Sequence, residues 1–169
     1  MNIFYLDTDP TIAARALSDK HVPKMILETC QLLCSAHHAY SSAFVGIYKA
    51  THMNHPCSLW VRASINNYIW THYLLRALCA EYAFRFRKIH KCQAFVIDGT
   101  HHTLLERLEI APRLPHTPFQ QPPRVMPVDF HRPCVVQSYR DYYAIAKRHL
   151  HRYNKGRNAP PWISVPSNA

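Results

Sequence analysis

The segment from Asp19 to Ser35 constrains the fold of this chain most, because as a helix it is apolar almost all the way round. At about 100° per residue, its polar side chains gather within roughly 80° of one another, while aliphatic and cysteine side chains cover the other directions. These polar residues are His21, Lys24, Glu28, Gln31 and Ser35. An ordinary surface helix has a broad polar face, so this segment predicts a buried helix with one narrow polar stripe.

Glu28 is the member of this stripe that most needs explaining, since a carboxylate on a buried helix requires a compensating partner. Lys24 lies four residues earlier, so a purely structural ion pair between the two is one interpretation. The other is a general acid/base carboxylate held beside cations. Pro23 favours a helix that begins near Val22, which would leave His21 in the turn before it.

The charge balance indicates a polyanionic partner. Lysine and arginine number 20 against 10 acidic residues, giving +10 before any of the 13 histidines is protonated. Nucleic acid is the commonest partner for such a domain, and we expect double-stranded DNA. The sequence has no run of about 18 apolar residues and no basic, apolar leader, so we expect a cytoplasmic monomer that does not bind membranes.

The cysteines and histidines do not form a recognisable metal site. Six cysteines form no CxxC pair and lie mostly in apolar runs, which predicts reduced thiols in the core. Paired histidines occur without a carboxylate at a familiar ligand spacing. The sequence therefore predicts no bound metal and no cofactor.

The pattern along the chain predicts an all-α fold, a compact single-domain helical bundle over residues 1–169. Helices are predicted after Asp9, over 19–38, from Leu59 to about Phe95 with Ser58 as the cap, and over 136–153. Ser41, Ser42 and Gly46 predict a loop, and residues 2–6 a short apolar arm. No strand pattern of convincing length occurs.

Two stretches of unusual composition complete this picture. Residues 111–134 carry seven of the 13 prolines, which predicts an extended segment that crosses the bundle. The basic helix and tail over 136–169 follow it. Within the long predicted helix, EYAFRFRKIHK interleaves aromatic rings with cations, as a phosphate-binding surface or a solvated helix end would do.

With these residues in place, the chain resembles the pyrimidine-dimer DNA glycosylases known as phage endonuclease V. The resemblance is carried by Asp19 and His21 in an Asp-x-His motif, followed seven residues later by Glu28. Further likenesses are the NHP motif ahead of Trp60 and the C-terminal YY…K…RY…PPW pattern. The chain is also similar to a widespread group of phage proteins that begin MNIFYLD and contain DKH and NHP.

The resemblance implies an all-α enzyme that binds duplex DNA and cleaves a glycosidic bond through a Schiff base on the N-terminal α-amine. An α-amine is less basic than a lysine side chain, so more of it is a neutral nucleophile near neutral pH. Glu28 would then be the acid/base and Met1 the nucleophile, because Asn2 is large enough that Met1 should be retained. Lys24 is the substitute amine, and Asp19 and His21 are the remaining catalytic candidates.

The resemblance and the basic composition together suggest a set of DNA contacts. These are Lys20, Asn54, His55, Arg62, Asn67, Arg140, Tyr143 and Lys147. Either asparagine of the Asn66–Asn67 pair could read a ligand or bond to a neighbouring backbone group, since both are poor helix formers.

The function that we expect is a DNA glycosylase for damaged or modified pyrimidines in duplex DNA, with or without abasic-site lyase activity. If a phage encodes it, it would act in the host cytoplasm. Three alternatives stay open: an enzyme that modifies a thymine-derived base in viral DNA, a non-catalytic basic DNA-binding protein, and a nuclease centred on His52, Asn54 and His55. Chelation would separate the nuclease from the others.

Overall fold

The computed structural model describes residues 1–40, 47–97 and 101–163, which form seven α-helices and no β-strand. The helices are α1 Pro10–Ala16, α2 His21–Tyr40, α3 Pro56–Ala63, α4 Ile65–Phe86, α5 Lys91–Ala94, α6 Leu104–Arg107 and α7 Val135–Ala146. The all-α, single-domain prediction is confirmed. No helix in these ranges is long and apolar enough to cross a membrane.

Helices α2 and α4 form the centre of the bundle and run antiparallel. Asp19, just before α2, bonds to Arg85 in the last turn of α4, which places the start of one helix beside the end of the other. Helix α2 is buried over most of its circumference, with Leu32, Leu33 and Ala36 inaccessible to solvent, as its sequence predicts. Helix α1 packs against α4, and α3 contacts both central helices.

The single helix predicted from Leu59 to about Phe95 is wrong, because Ser64 interrupts it. Ser64 is extended, with φ −155° and ψ 143°, and its hydroxyl accepts the Asn66 N–H at 3.1 Å, so it caps α4. At the other end, Arg87 adopts a left-handed φ of 54° and closes α4.

Other helix ends also differ from the prediction. The cap of α3 is His55, whose Nδ1 accepts the Cys57 N–H at 3.2 Å, and not Ser58. Helix α2 already includes His21. Helix α7 ends at Ala146 instead of continuing to residue 153, and a turn of 3-10 helix follows at Arg148–Leu150. The loop predicted at Ser41, Ser42 and Gly46 lies outside the described residues.

The proline-rich segment 111–134 crosses the bundle in extended form, as predicted, and Asn67 holds it there. The buried Asn67 side chain donates from Nδ2 to the Trp60 carbonyl at 2.8 Å and accepts the Gln120 N–H at 3.0 Å. Ser64 Oγ adds a bond to the Thr117 carbonyl at 2.6 Å. Asn67 therefore satisfies backbone groups inside the protein, and the expectation that it contacts DNA is contradicted.

Arg85 is the centre of a buried ion network, with a side chain that is 0% exposed. Its Nε donates to Glu81 Oε2 at 3.0 Å and its Nη1 to Asp19 Oδ1 at 3.2 Å. The same guanidinium donates to the carbonyls of Leu17 at 2.7 Å and Arg15 at 2.9 Å, at the end of α1. One side chain thus joins α1, α2 and α4.

The same network fastens the C-terminal tail. Arg157 Nη2 lies 2.6 Å from Glu81 Oε1, and the Asn154 N–H donates to Asp19 Oδ2 at 2.7 Å. Burial alone would raise the pKa of Glu81, but the hydrogen bonds from Arg157 and Arg85 outweigh it and lower the pKa. Glu81 is therefore a paired anion, and it and Asp19 together hold the tail on the bundle.

Replacing Arg85 should destabilise the protein far more than replacing an exposed arginine. We expect Arg85→Ala to lower the free energy of unfolding by about 3–5 kcal/mol, because Glu81 and Asp19 would keep buried charges with too few partners. Urea unfolding followed by tryptophan fluorescence measures the change.

The matched control is Arg76→Ala on the same helix. The Arg76–Glu109 pair is 54% and 62% exposed, so its loss should cost less than about 1 kcal/mol. Equal losses in the two variants would contradict a central role for the network.

Candidate active site

The first six residues form an arm that enters the core. Ile3, Phe4, Tyr5 and Leu6 are each 5% exposed or less. Phe4 has a left-handed φ of 49°, which is costly for an aromatic residue, and its ring packs edge-on against His21 with centroids 4.6 Å apart. This packing fixes the arm and, with it, the start of the chain.

Asn2 connects the arm to Glu28. Its backbone N–H donates to Glu28 Oε2 at 3.0 Å. Its side chain donates to the Val125 carbonyl at 2.9 Å and accepts the Phe4 N–H at 3.0 Å. Because the backbone nitrogen and both ends of the side-chain amide are engaged, Asn2 has a defined position beside the carboxylate.

This contact brings the first amine of the chain close to Glu28. Three covalent bonds separate the Met1 α-nitrogen from the Asn2 nitrogen, so the amine lies within about 7 Å of Glu28 Oε2. The N-terminal charge and Glu28 both act on His55 and on Cys57, which places all four groups near one another.

The two oxygens of Glu28 have different surroundings. Oε2 faces the arm, whereas Oε1 lies 3.8 Å from Lys24 Nζ. The Glu28 side chain is 18% exposed and that of Lys24 is 66% exposed, so their ion pair is weak. The ion-pair interpretation accounts for Oε1 but not for the contact with Asn2. Since the arm already brings Met1 to Glu28, the site does not require Lys24 as the amine.

His55 lies beside this group at the start of α3. Its Nδ1 accepts the Cys57 N–H, so the neutral ring carries its proton on Nε2. Partial burial lowers the pKa of His55, the N-terminal charge and His52 act in the same direction, and Glu28 opposes them. Burial also raises the pKa of Cys57 to about 12. Near neutral pH the site therefore holds a neutral imidazole and a protonated thiol.

His21 and Tyr143 are enclosed behind the arm. His21 is 3% exposed and Tyr143 is 0% exposed, with Nδ1 of the histidine 3.1 Å from the phenol oxygen. That oxygen also accepts the Ser18 N–H at 3.0 Å. Tyr143 is enclosed and cannot reach DNA, so its expected DNA contact is contradicted. His21 packs beside it, and a catalytic role for His21 stays a prediction.

Asp19 likewise serves the fold. It is 6% exposed, and its two oxygens accept bonds from Arg85 and Asn154. The Asp-x-His motif thus marks the junction of α2 with the tail, and a catalytic role for Asp19 stays a prediction.

The predicted DNA contacts fall into two groups. Lys20 and Asn54 are exposed, and Lys147 is half-buried with its ammonium 5.2 Å from the centre of the Tyr142 ring. Arg62 and Arg140 are engaged with the protein itself. Arg62 Nη2 donates to the Met53 carbonyl at 2.7 Å.

Arg140 holds the end of the N-terminal arm. Its Nε donates to the Leu6 carbonyl at 2.8 Å and its Nη2 to Asp7 Oδ2 at 2.8 Å. Its principal role is therefore structural, because a phosphate would have to compete with both bonds.

Lysine and histidine side chains lie around His21 at the start of α2. Burial is the main reason that the pKa of His21 falls to about 3, and nearby Lys24, Lys147, His149 and His151 each lower it further. Because all four groups act on the pKa of His21, they lie near the start of α2, about two turns from Glu28. The set of DNA contacts predicted from the sequence did not include His149.

Tyr142 was also missed, although it is the tyrosine of α7 that is half-exposed. Its ring packs edge-on against Phe130 with centroids 5.3 Å apart. At 100° per residue, Tyr142 lies within about 20° of the buried Val135, so helical periodicity does not separate it from Tyr139 and Tyr143. No local signal in the sequence distinguished the adjacent tyrosines.

Metal-ligand chemistry finds little support in the ranges that the structure describes. Within them, no three His, Cys, Asp or Glu side chains are close enough to hold a metal ion. The six cysteines are free thiols, and all except Cys134 are buried, which agrees with the predicted core thiols.

Comparisons with known proteins add no family assignment. No protein-family model matches the chain, and no curated protein or solved structure matches it.

The buried histidines predict a loss of stability in mild acid. The folded-state pKa is about 3 for His21 and about 4 for His37, below the ordinary value of 6.5, because burial disfavours the charged rings. The unfolded chain therefore binds protons that the folded chain does not. Stability should fall as the pH drops below about 6.5, approaching about 1.4 kcal/mol per pH unit for each ring.

Urea unfolding at pH values between 7 and 5 measures this slope. We expect His21→Gln to make the slope shallower, whereas the same change at the exposed His116 should leave it unchanged. An unchanged slope in His21→Gln would show that His21 does not contribute.

Proposed function

We propose that this protein is a DNA glycosylase that acts on a damaged or modified pyrimidine in duplex DNA, with the Met1 α-amine as nucleophile and Glu28 as acid/base. The observation that carries the proposal is the 3.0 Å hydrogen bond from the Asn2 N–H to Glu28 Oε2. It supports the proposal because it joins two parts of the chain that the chemistry needs together. The bond is a structural contact in itself, and its consequence is that the Met1 α-amine lies within about 7 Å of the carboxylate.

The chemistry requires a neutral amine and a group that moves a proton. The amine nitrogen attacks C1′ of the target nucleotide, the C1′–N1 bond breaks, and the base leaves with the bonding electron pair. The amine loses two protons in forming the imine. Glu28 accepts one and delivers it to the sugar ring oxygen as the C1′–O4′ bond opens, and the other passes through solvent water to the base. The product is an imine between the N-terminus and C1′, which water can hydrolyse.

Lyase activity would follow from the same imine. Loss of a proton from C2′ allows the C3′–O bond to break, and the 3′-phosphate leaves with the electron pair. Glu28, with 18% of its side chain exposed, is accessible enough to accept that proton.

The lysines near Glu28 supply the attraction for the DNA backbone. Lys20 and Lys24 project from the start of α2, and Lys147 from the end of α7. Phosphate contacts of this kind position a protein on DNA without reading its sequence. The Nε2–H of His55 adds a neutral donor next to the amine.

A non-catalytic DNA-binding protein is the second candidate. The Lys24–Glu28 contact at 3.8 Å favours it, since that pair gives the carboxylate a structural role. In that case Glu28→Gln should leave DNA affinity unchanged or higher and remove no reaction.

Borohydride trapping on duplex DNA with an abasic site or a pyrimidine dimer tests the proposal directly, because reduction converts the imine to a stable amine. We expect a covalent adduct with the wild-type protein and a rate of formation at least about 100-fold lower for Glu28→Gln. Glu109→Gln, at a carboxylate that is 62% exposed, is the matched control and should react at the wild-type rate.

Mass spectrometry of the adduct identifies the amine. We expect the DNA remnant on the α-nitrogen of Met1, and N-terminal acetylation should abolish trapping. An adduct on Lys24 would reassign the nucleophile. No adduct on either DNA, with duplex binding intact, would reject the glycosylase and favour the non-catalytic protein.

A further inference from the structure

A second surface rich in cations and aromatic rings lies where the end of α4 meets the tail. It comprises Phe84, Phe86, Arg87, Lys88 and Lys155, and we call it the α4-end surface. The two sequence stretches that build it, 82–97 and 147–163, contain no aspartate or glutamate. The surface therefore differs from the mixed-charge exterior of a typical soluble protein.

Aromatic rings and cations alternate in space on this surface. Lys155 Nζ lies 5.7 Å from the centre of the Phe86 ring. The guanidinium carbons of Arg87 and Arg157 lie 5.5 Å and 4.1 Å from the centre of the Phe84 ring. Phe84 nevertheless remains 39% exposed, so part of its ring is open to a ligand.

The charges here divide into an inner and an outer layer. Glu81 neutralises the inner arginines, Arg85 and Arg157, through the bonds that fasten the tail. The outer cations Arg87, Lys88 and Lys155 are exposed and form no ion pair with any residue that the structure describes. An uncompensated positive potential therefore faces solvent beside the rings.

This surface is separate from the Glu28 site. Helices α2 and α4 are antiparallel, so the end of α4 lies beside Asp19 and the start of α2. Glu28 lies seven residues beyond His21, about 10 Å farther along α2 and away from the end of α4. No residue of the α4-end surface contacts Glu28 or the N-terminal arm in the contacts described above.

We infer that the α4-end surface binds single-stranded DNA, with phosphates at the outer cations and bases against the exposed ring of Phe84. Cations favour any nucleic acid, but the ring selects between the forms. A single strand can place a base face on a ring, whereas a duplex keeps its bases stacked inside. The inference goes beyond the proposed glycosylase and does not depend on its chemistry, since no group of the Glu28 site takes part.

Fluorescence anisotropy with a labelled oligothymidine tests this with the full chain. We expect Lys88→Glu/Lys155→Glu to weaken binding by about tenfold or more and to reduce the salt slope by about 1.4, or about 0.7 for each lost phosphate contact. The matched control is Arg76→Glu/Arg113→Glu, which makes the same change in net charge at exposed positions elsewhere. It should weaken binding less than about threefold.

Phe84→Leu separates stacking from charge. It keeps an apolar side chain against the tail but removes the flat ring, so binding of oligothymidine should weaken by about fivefold. Binding of inorganic polyphosphate, which has no bases, should not change. Circular dichroism and urea unfolding confirm that each variant is folded.

Three outcomes would overturn the inference. Equal weakening by the two double variants would mean attraction by net charge alone. If Lys88→Glu/Lys155→Glu lost binding to duplex DNA but kept binding to the single strand, the surface would belong to a duplex-binding site. If every variant bound the single strand as the wild type does, the surface would not be a binding site for it. Borohydride trapping and oligothymidine binding are separate measurements on the wild-type protein. A protein that forms no covalent adduct but binds oligothymidine through Lys88, Lys155 and Phe84 would fail the glycosylase proposal and keep this inference.

Discussion

The buried guanidinium of Arg85 is the interaction on which the rest of the structure depends. It meets carboxylates from α4 and from the start of α2, and carbonyls from the end of α1, without exposure to water. A buried charge is costly unless it is paired and hydrogen-bonded, so the elements that supply its four acceptors must keep one arrangement. The same carboxylates also hold the tail. The second oxygen of Glu81 accepts a bond from Arg157, and the second oxygen of Asp19 accepts one from the Asn154 N–H.

The N-terminal arm depends on a similar principle at Glu28, in the polar stripe of α2. Glu28 is mostly withdrawn from water, and the donor that reaches its Oε2 is a backbone N–H near the start of the chain. A terminus usually frays, yet this one is anchored by Phe4 against His21 and by Arg140 at Leu6. The same contacts that stabilise Glu28 therefore also hold the first amine beside it, which is what gives the pair its proposed chemistry.

Net charge alone overstates how much positive charge this protein presents to solvent. Several arginines donate to carbonyls or carboxylates within the fold, among them Arg62, Arg85 and Arg140. Guanidinium suits this work because it has five donors in a fixed plane, whereas lysine carries a compact and strongly hydrated charge. The lysines consequently supply much of the outward potential, on both the Glu28 side and the α4-end surface.

The sequence alone determined the features that arise within one helical turn or from local stiffness. The burial of α2, the cap of α1 by Asp9, the extended proline-rich crossing and the all-α class follow from periodicity and backbone preference. Only the tertiary structure decided the break at Ser64, the inward direction of Tyr143 and the bonds from Asn2 to Glu28 and from Arg85 to Asp19. These partners lie far apart in the chain, and a local pattern reports that a polar group is buried but not which distant group satisfies it.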